Sequence, residues 1–149
     1  MKAAPASWPL SSILLLLFGL ILIVIGVYFA VLRPPLLPED LRYIGASQQE
    51  LEAAAPRLTV WLAQVFRAMG GYVAATGVLT VTIAATAFRV HWRGAAAGAL
   101  IGGLASIGWM TTVNFMINSD FKWVLLGVAL LWACSLVLFW FEGARPGAG

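Results

Sequence analysis

Four long stretches of the chain are almost free of charge, and none of them alternates polar and apolar residues with the two-residue period of a strand. They cover residues 10–32, 58–88, 95–118 and 123–141. A helix crossing the hydrocarbon of a bilayer needs about 20 apolar residues, because each adds about 1.5 Å of rise toward a thickness of about 30 Å. All four stretches reach that length. The pattern therefore predicts an all-α polytopic membrane protein, a bundle of four transmembrane helices forming one membrane domain over residues 1–149.

The boundaries carry their own signals. Trp8-Pro9 leads into the first stretch and Arg33-Pro34-Pro35 stops it, since consecutive prolines cannot continue a helical hydrogen-bond ladder. That first stretch is longer than the apolar region of a signal peptide and no A-x-A site follows it, so it is expected to be a membrane span. The second stretch is interrupted only by Arg67, and the third follows the short basic loop Arg89 to Arg93. Glu142, Arg145 and several glycines after the fourth read as a frayed tail.

Residues 33–57 form the longer, polar loop, expected on the extracytoplasmic side. Pro34, Pro35 and Pro38 stiffen its start, and Gly45-Ala46 suits a turn. Ser47-Gln-Gln-Glu50 fits a capping box, in which serine and glutamate side chains satisfy the free amides of a helix start. A short helix to about Ala55 is expected, with Pro56 marking entry into the second span.

Composition closes off whole classes. The chain is 62% hydrophobic and 10% charged, whereas a soluble domain carries roughly 25% charged residues. The net charge of +3 comes from scattered basic residues with no stripe, so a nucleic-acid partner is not expected. Lys2, Arg89, Arg93 and Arg145 fall on one side, and Arg33, Arg42, Arg57 and Lys122 on the other. The short, dense Arg89 to Arg93 loop decides this near tie, placing both termini in the cytoplasm of a bacterial inner membrane. Trp8, Trp92 and Trp140 toward one face, with Trp61 and Trp123 toward the other, suit an aromatic belt. Cys134, the single cysteine, permits no intrachain disulfide and reads as a small packing residue.

Arg67 is the main candidate for function, because a charge between apolar runs is costly in lipid. The second stretch is too long for the hydrocarbon core, at roughly 45 Å against roughly 30 Å, so Arg67 is expected at the outer boundary, where its stem can snorkel. Counting along the third span puts Asn114 at a similar depth. Gln64, Thr111, Asn118, Asp120 and Tyr28 complete a polar cluster there, with the loop closing over it. Two readings compete. In one, Arg67 pairs with Asp120 or a loop acid in a structural network. In the other, the cluster binds an anionic or carbonyl-bearing amphiphile such as a lipid headgroup or a quinone.

Small residues supply the expected packing positions. Gly94, Gly98, Gly102 and Ser106 recur at fourfold spacing on the third span, and Gly70 and Gly71 lie in the second; such residues let helix backbones approach closely. Asn118-Ser119-Asp120 has cap chemistry for the fourth span. His91 is a lone histidine without a second ligand at metal spacing, so solvent or headgroup contact is expected and no metal site. Hydrolase, metalloprotease, P-loop and dinucleotide fingerprints do not occur, and all six acids fall outside the four stretches. No catalytic residue is assigned.

Arg67-Ala-Met-Gly70-Gly71 and the four-span layout resemble the DoxX-like group of small bacterial membrane proteins. In that group an Arg-x-x-Gly-Gly element often opens the second helix after an extracytoplasmic loop. Some members are similar to subunits of quinone-linked oxidoreductases, and the resemblance implies no particular reaction here.

The leading expectation is a non-catalytic integral membrane component, either a lipid- or quinone-binding auxiliary protein or a small subunit of a larger membrane complex. No resident cofactor is expected beyond a bound quinone or lipid; the expected partners are membrane lipids, a larger complex or further copies of the chain. The alternative is a redox or lipid-modifying enzyme subunit with Arg67 as electrostatic clamp and Asn114 as donor, which lacks a general base within reach. A small oligomeric transporter is the third reading.

Overall fold

A computed structural model describes residues 7–144. Lys2 and Arg145, which entered the charge count, lie outside the described residues. Four helices are long and apolar enough to cross a membrane, as an integral membrane protein requires: α1 (Leu10–Leu32), α4 (Leu58–Phe88), α5 (Arg93–Met116) and α6 (Lys122–Gly143). Two short helices, α2 (Pro38–Ile44) and α3 (Gln48–Ala54), occupy the loop between α1 and α4. No strand occurs among the described residues.

The loop contains one helix more than expected. Helix α3 starts as read, with the Ser47 hydroxyl and amide both donating to Glu50 Oε2 at 2.7 Å. Helix α2 arises because Pro38 begins a helix rather than stiffening a coil. A proline at the first helical position has no amide to leave unsatisfied, and Asp40 Oδ2 accepts from the Leu37 amide at 2.9 Å. Gly45, at φ 75°, ends α2 in the left-handed conformation.

The spans lie side by side in the order α4, α1, α6, α5, and α4 and α5 meet chiefly beside the turn that joins them. Gly19 and Gly26 on α1 face Gly70 and Gly77 on α4. A Cβ on Gly26 would stand 2.6 Å from the Gly70 carbonyl oxygen, and one on Gly77 2.7 Å from that of Gly19. The two backbones touch, and the seven-residue spacing, two helical turns, holds both glycine pairs on one seam. Leu15, Phe18 and Leu22 of α1, Phe88, Ile107 and Phe139 fill the centre of the bundle.

Helix α5 docks by a face that the fourfold spacing did not select. Ala95, Ala96, Ala99 and Gly103 are its buried small residues. The Trp132 indole of α6 lies against Gly103 and donates to the Ala99 carbonyl at 2.9 Å. Gly98 and Gly102, like Gly71 on α4, have nothing within 4 Å of where a Cβ would stand. Gly94 is covered by the ring of Trp92, and Ser106 donates back to the Gly102 carbonyl at 2.6 Å. Small residues occur on several faces of α5, so spacing could not single out the one that packs. Cys134 is exposed on α6 rather than packed inside.

Three stretches widen to π-helical geometry: Tyr28–Leu32, Ala84–Phe88 and Leu104–Gly108. The first two end α1 and α4, where the Arg33 amide reaches the Tyr28 carbonyl at 2.8 Å and the Trp92 amide reaches that of Ala87 at 3.1 Å.

Candidate functional site

Polar chemistry gathers at the two ends of the bundle. At the loop end, Arg33 leaves the last turn of α1 and its guanidinium lies 3.6 Å from the centre of the Phe66 ring and 5.5 Å from that of Phe29. It pairs with Asp40 at 2.8 Å, and its side chain is only 7% exposed. The Pro34 carbonyl accepts a further bond at 2.9 Å. One arginine thus ties α1, α2 and α4 together through stacking, charge and hydrogen bonds.

The loop is fastened on its other side as well. Arg42 of α2 pairs with Asp120 at 3.0 Å and donates to the Asn118 carbonyl at 3.3 Å. Buried Glu39 accepts from Ser119 Oγ at 3.4 Å. Ser119 Oγ also accepts from the Phe121 amide at 3.1 Å, a bond within the turn before α6; the helix itself starts without the side-chain cap that the sequence suggested. Asn118, at φ 53°, takes the Lys122 ammonium on its side-chain oxygen.

These bonds account for most of the expected cluster. Asp120 belongs to Arg42, and neither it nor a loop acid pairs with Arg67. Asn114 Nδ2 donates to the Met110 carbonyl of its own helix at 2.9 Å. Thr111 Oγ1 donates to the Leu125 carbonyl at 3.3 Å and so joins α5 to α6. Tyr28 is half-buried, edge-on to Phe29 at 5.7 Å between ring centres. What the structure brings together is a loop strapped to the α5–α6 turn, with Arg67 and Gln64 outside it.

Arg67 and Gln64 are both exposed. Trp61, Gln64 and Arg67 follow one another at threefold spacing on α4, which puts them on one flank of the helix. The side facing α1 is held by Gly70 and Gly77. The depth of Arg67 follows from its neighbours. Phe66 touches Phe29 and Arg33, and Gly70 meets Ala30, so Arg67 is level with the last turn of α1. The start of α4, about eight residues or about 12 Å, projects beyond the end of α1. Arg57, also exposed, stands one turn before Trp61 and lines a shallow groove with Ala55, Pro56, Leu58 and Trp61. No hydrogen bond or ion pair engages the side chain of Arg57 or Arg67 among the described residues, whereas Arg33 and Arg42 are both matched to carboxylates.

The opposite end, where α1 begins and α6 finishes, holds a second cluster that the sequence reading missed. The Ser11 amide donates to Glu142 Oε1 at 3.3 Å, and its hydroxyl bonds the other carboxylate oxygen. A carboxylate from α6 thereby satisfies free amides in the first turn of α1. His91 is half-buried rather than free in solvent: it stacks on Phe139 and its Nε2 lies 3.6 Å from Glu142 Oε2. Its φ of 55° is unusual outside glycine and turns the chain between α4 and α5. The Arg89 guanidinium lies over Trp8 at 4.7 Å. Among the described residues no group of three metal-ligating side chains forms.

Comparison with protein-family models, curated proteins and solved structures gives no match.

Proposed function

We propose that the chain is a non-catalytic integral membrane component that holds an amphiphile, a lipid or a quinone, against the exposed flank of α4, with Arg67 as its electrostatic contact. The observation that carries this reading is the uneven use of arginine at the loop end. Arg33 and Arg42 are matched by Asp40 and Asp120, while Arg67 is exposed and has no protein partner among the described residues. A guanidinium at the edge of hydrocarbon attracts phosphate or carbonyl oxygen. Asn114, Thr111, Asn118 and Asp120 serve the scaffold in this reading, and Gln64 is the polar neighbour of Arg67. With the termini in the cytoplasm of a bacterial inner membrane, the contact falls in the outer leaflet.

Native mass spectrometry after extraction in a mild detergent tests it. The wild-type chain is expected to carry an amphiphile that Arg67→Ala loses. A bare monomer whose spectrum Arg67→Ala does not change would overturn the proposal. A small-subunit role is the second reading, favoured by the exposed Gly98 and Gly102, where a neighbouring helix backbone can come closest; cysteine cross-linking from position 98 in native membranes checks it.

A further inference from the structure

We infer that the occupant of this flank is a phospholipid, gripped by its phosphodiester between Arg67 and Arg57 beside Trp61. The inference rests on the amphiphile reading above and sharpens it, since that reading leaves quinone and phospholipid equally open. Three observations separate them.

The first is length. Helix α4 has 31 residues against 23 in α1. At about 1.5 Å per residue, α4 covers about 45 Å, the thickness of a bilayer including its headgroups, whereas α1 covers little more than the hydrocarbon. The projecting start of α4 therefore stands in the headgroup layer, where phosphates are.

The second is the spacing of charge along that start. Arg67 sits at the floor of the layer, level with the last turn of α1. Arg57 precedes the helix, with its carbonyl accepting from the Trp61 amide at 3.0 Å. Ten residues separate the two arginines, about 15 Å of rise. Both side chains are long and exposed, so a ligand at the level of Trp61 and Gln64 between them lies within reach of either guanidinium. Two guanidiniums able to reach one level suit a phosphodiester, whose two free oxygens can each accept from a planar fork. A quinone carbonyl has no charge to match and needs only one donor.

The third is the surroundings. Trp61 is 61% exposed, and Val60 beside it 63%. An indole with an apolar body and one N–H donor is suited to the glycerol and ester region of a lipid. The acids of α3 do not reach the arginines: Glu50 accepts from Ser47 at 2.7 Å and Glu52 from Gln48 at 2.8 Å, and neither pairs with Arg57 or Arg67 among the described residues.

The test uses the full chain in mild detergent, titrated separately with phosphatidylglycerol, a ubiquinone analogue and inorganic phosphate, and read by native mass spectrometry. Arg57→Gln and Arg67→Gln are compared with Arg93→Gln, an exposed arginine at the opposite end. Each exchange replaces an exposed side chain, and circular dichroism verifies that the helices persist. The expected result is phosphatidylglycerol binding weakened about 5- to 10-fold by either Arg57→Gln or Arg67→Gln, as for one basic side chain at an anionic lipid surface, and unchanged by Arg93→Gln. Binding of the quinone analogue that depends on Arg67 and not on Arg57 would overturn this inference and leave the amphiphile reading standing. Inorganic phosphate binding with the same arginine dependence and no lipid binding would overturn both, as would indifference of every ligand to both arginines.

Discussion

Gly70 and Gly71 are adjacent on one helix, and the structure assigns them opposite fates. A Cβ at Gly70 would meet the Ala30 amide nitrogen and the Gly26 carbonyl oxygen, both at 2.5 Å, whereas one at Gly71 meets nothing within 4 Å. Ordinary contact begins near 3.4 Å, so Gly70→Ala forces α1 and α4 apart by roughly 1 Å in a close-packed interior. Overpacking of that kind costs about 1–3 kcal/mol. Alanine also stiffens the unfolded chain and favours helix by about 0.5–1 kcal/mol, a gain common to both variants. The difference between them therefore isolates the clash, and Gly70→Ala should be about 1–3 kcal/mol less stable than Gly71→Ala. Gly71→Ala should equal or slightly exceed wild type. Reversible unfolding by dodecyl sulfate titration in mixed micelles measures the pair. If Gly70→Ala proves as stable as Gly71→Ala, the backbone seam between α1 and α4 is not there.

Other perturbations address separate parts of the molecule. Arg33→Ala removes the ring stack and leaves Asp40 unpaired, so the loop should open more readily by about 2 kcal/mol, or roughly 30-fold; limited proteolysis within residues 33–57 reads this, and Arg33→Lys should recover only part of it. Glu142→Ala strands the first-turn amide of α1 and should cost about 1–3 kcal/mol in the same dodecyl sulfate titration, with Glu142→Gln milder. Gly103→Ala places a methyl group where the Trp132 indole lies, which should break its bond to Ala99 and shift tryptophan emission; an unchanged spectrum counts against that packing. The Ser47 amide and hydroxyl hold the Glu50 carboxyl below the usual glutamate range. Because the folded value is the lower one, the cap's contribution is complete above the unfolded value and is lost as pH falls through the folded one. Amide exchange in α3 should accordingly quicken on acidification, and Glu50→Gln should abolish that response.

The span lengths, the stop at Arg33-Pro34-Pro35 and the Ser47–Glu50 cap were legible in the sequence because each depends on residues close together in the chain. Hydrocarbon thickness sets span length whatever the neighbours do, and a capping box closes within four residues. The overlong second span was legible for the same reason, and the contacts of Phe66 and Gly70 set Arg67 level with the last turn of α1. Which partner each charged or small residue meets depends on the azimuth and order of the helices. Gly19, Gly26, Gly70 and Gly77 became a seam only once α1 and α4 were set antiparallel, while Gly98 and Gly102, spaced just as suggestively, were left facing outward. Asp120 was equally available to Arg42 and Arg67 in the sequence; the path of α2 across the α5–α6 turn gave it to Arg42. Ser11 and Glu142, 131 residues apart, meet only because the first and last spans pack together. Local physics wrote the helices into the sequence, and tertiary packing determined that Arg33 and Arg42 found carboxylates while Arg57 and Arg67 stayed exposed.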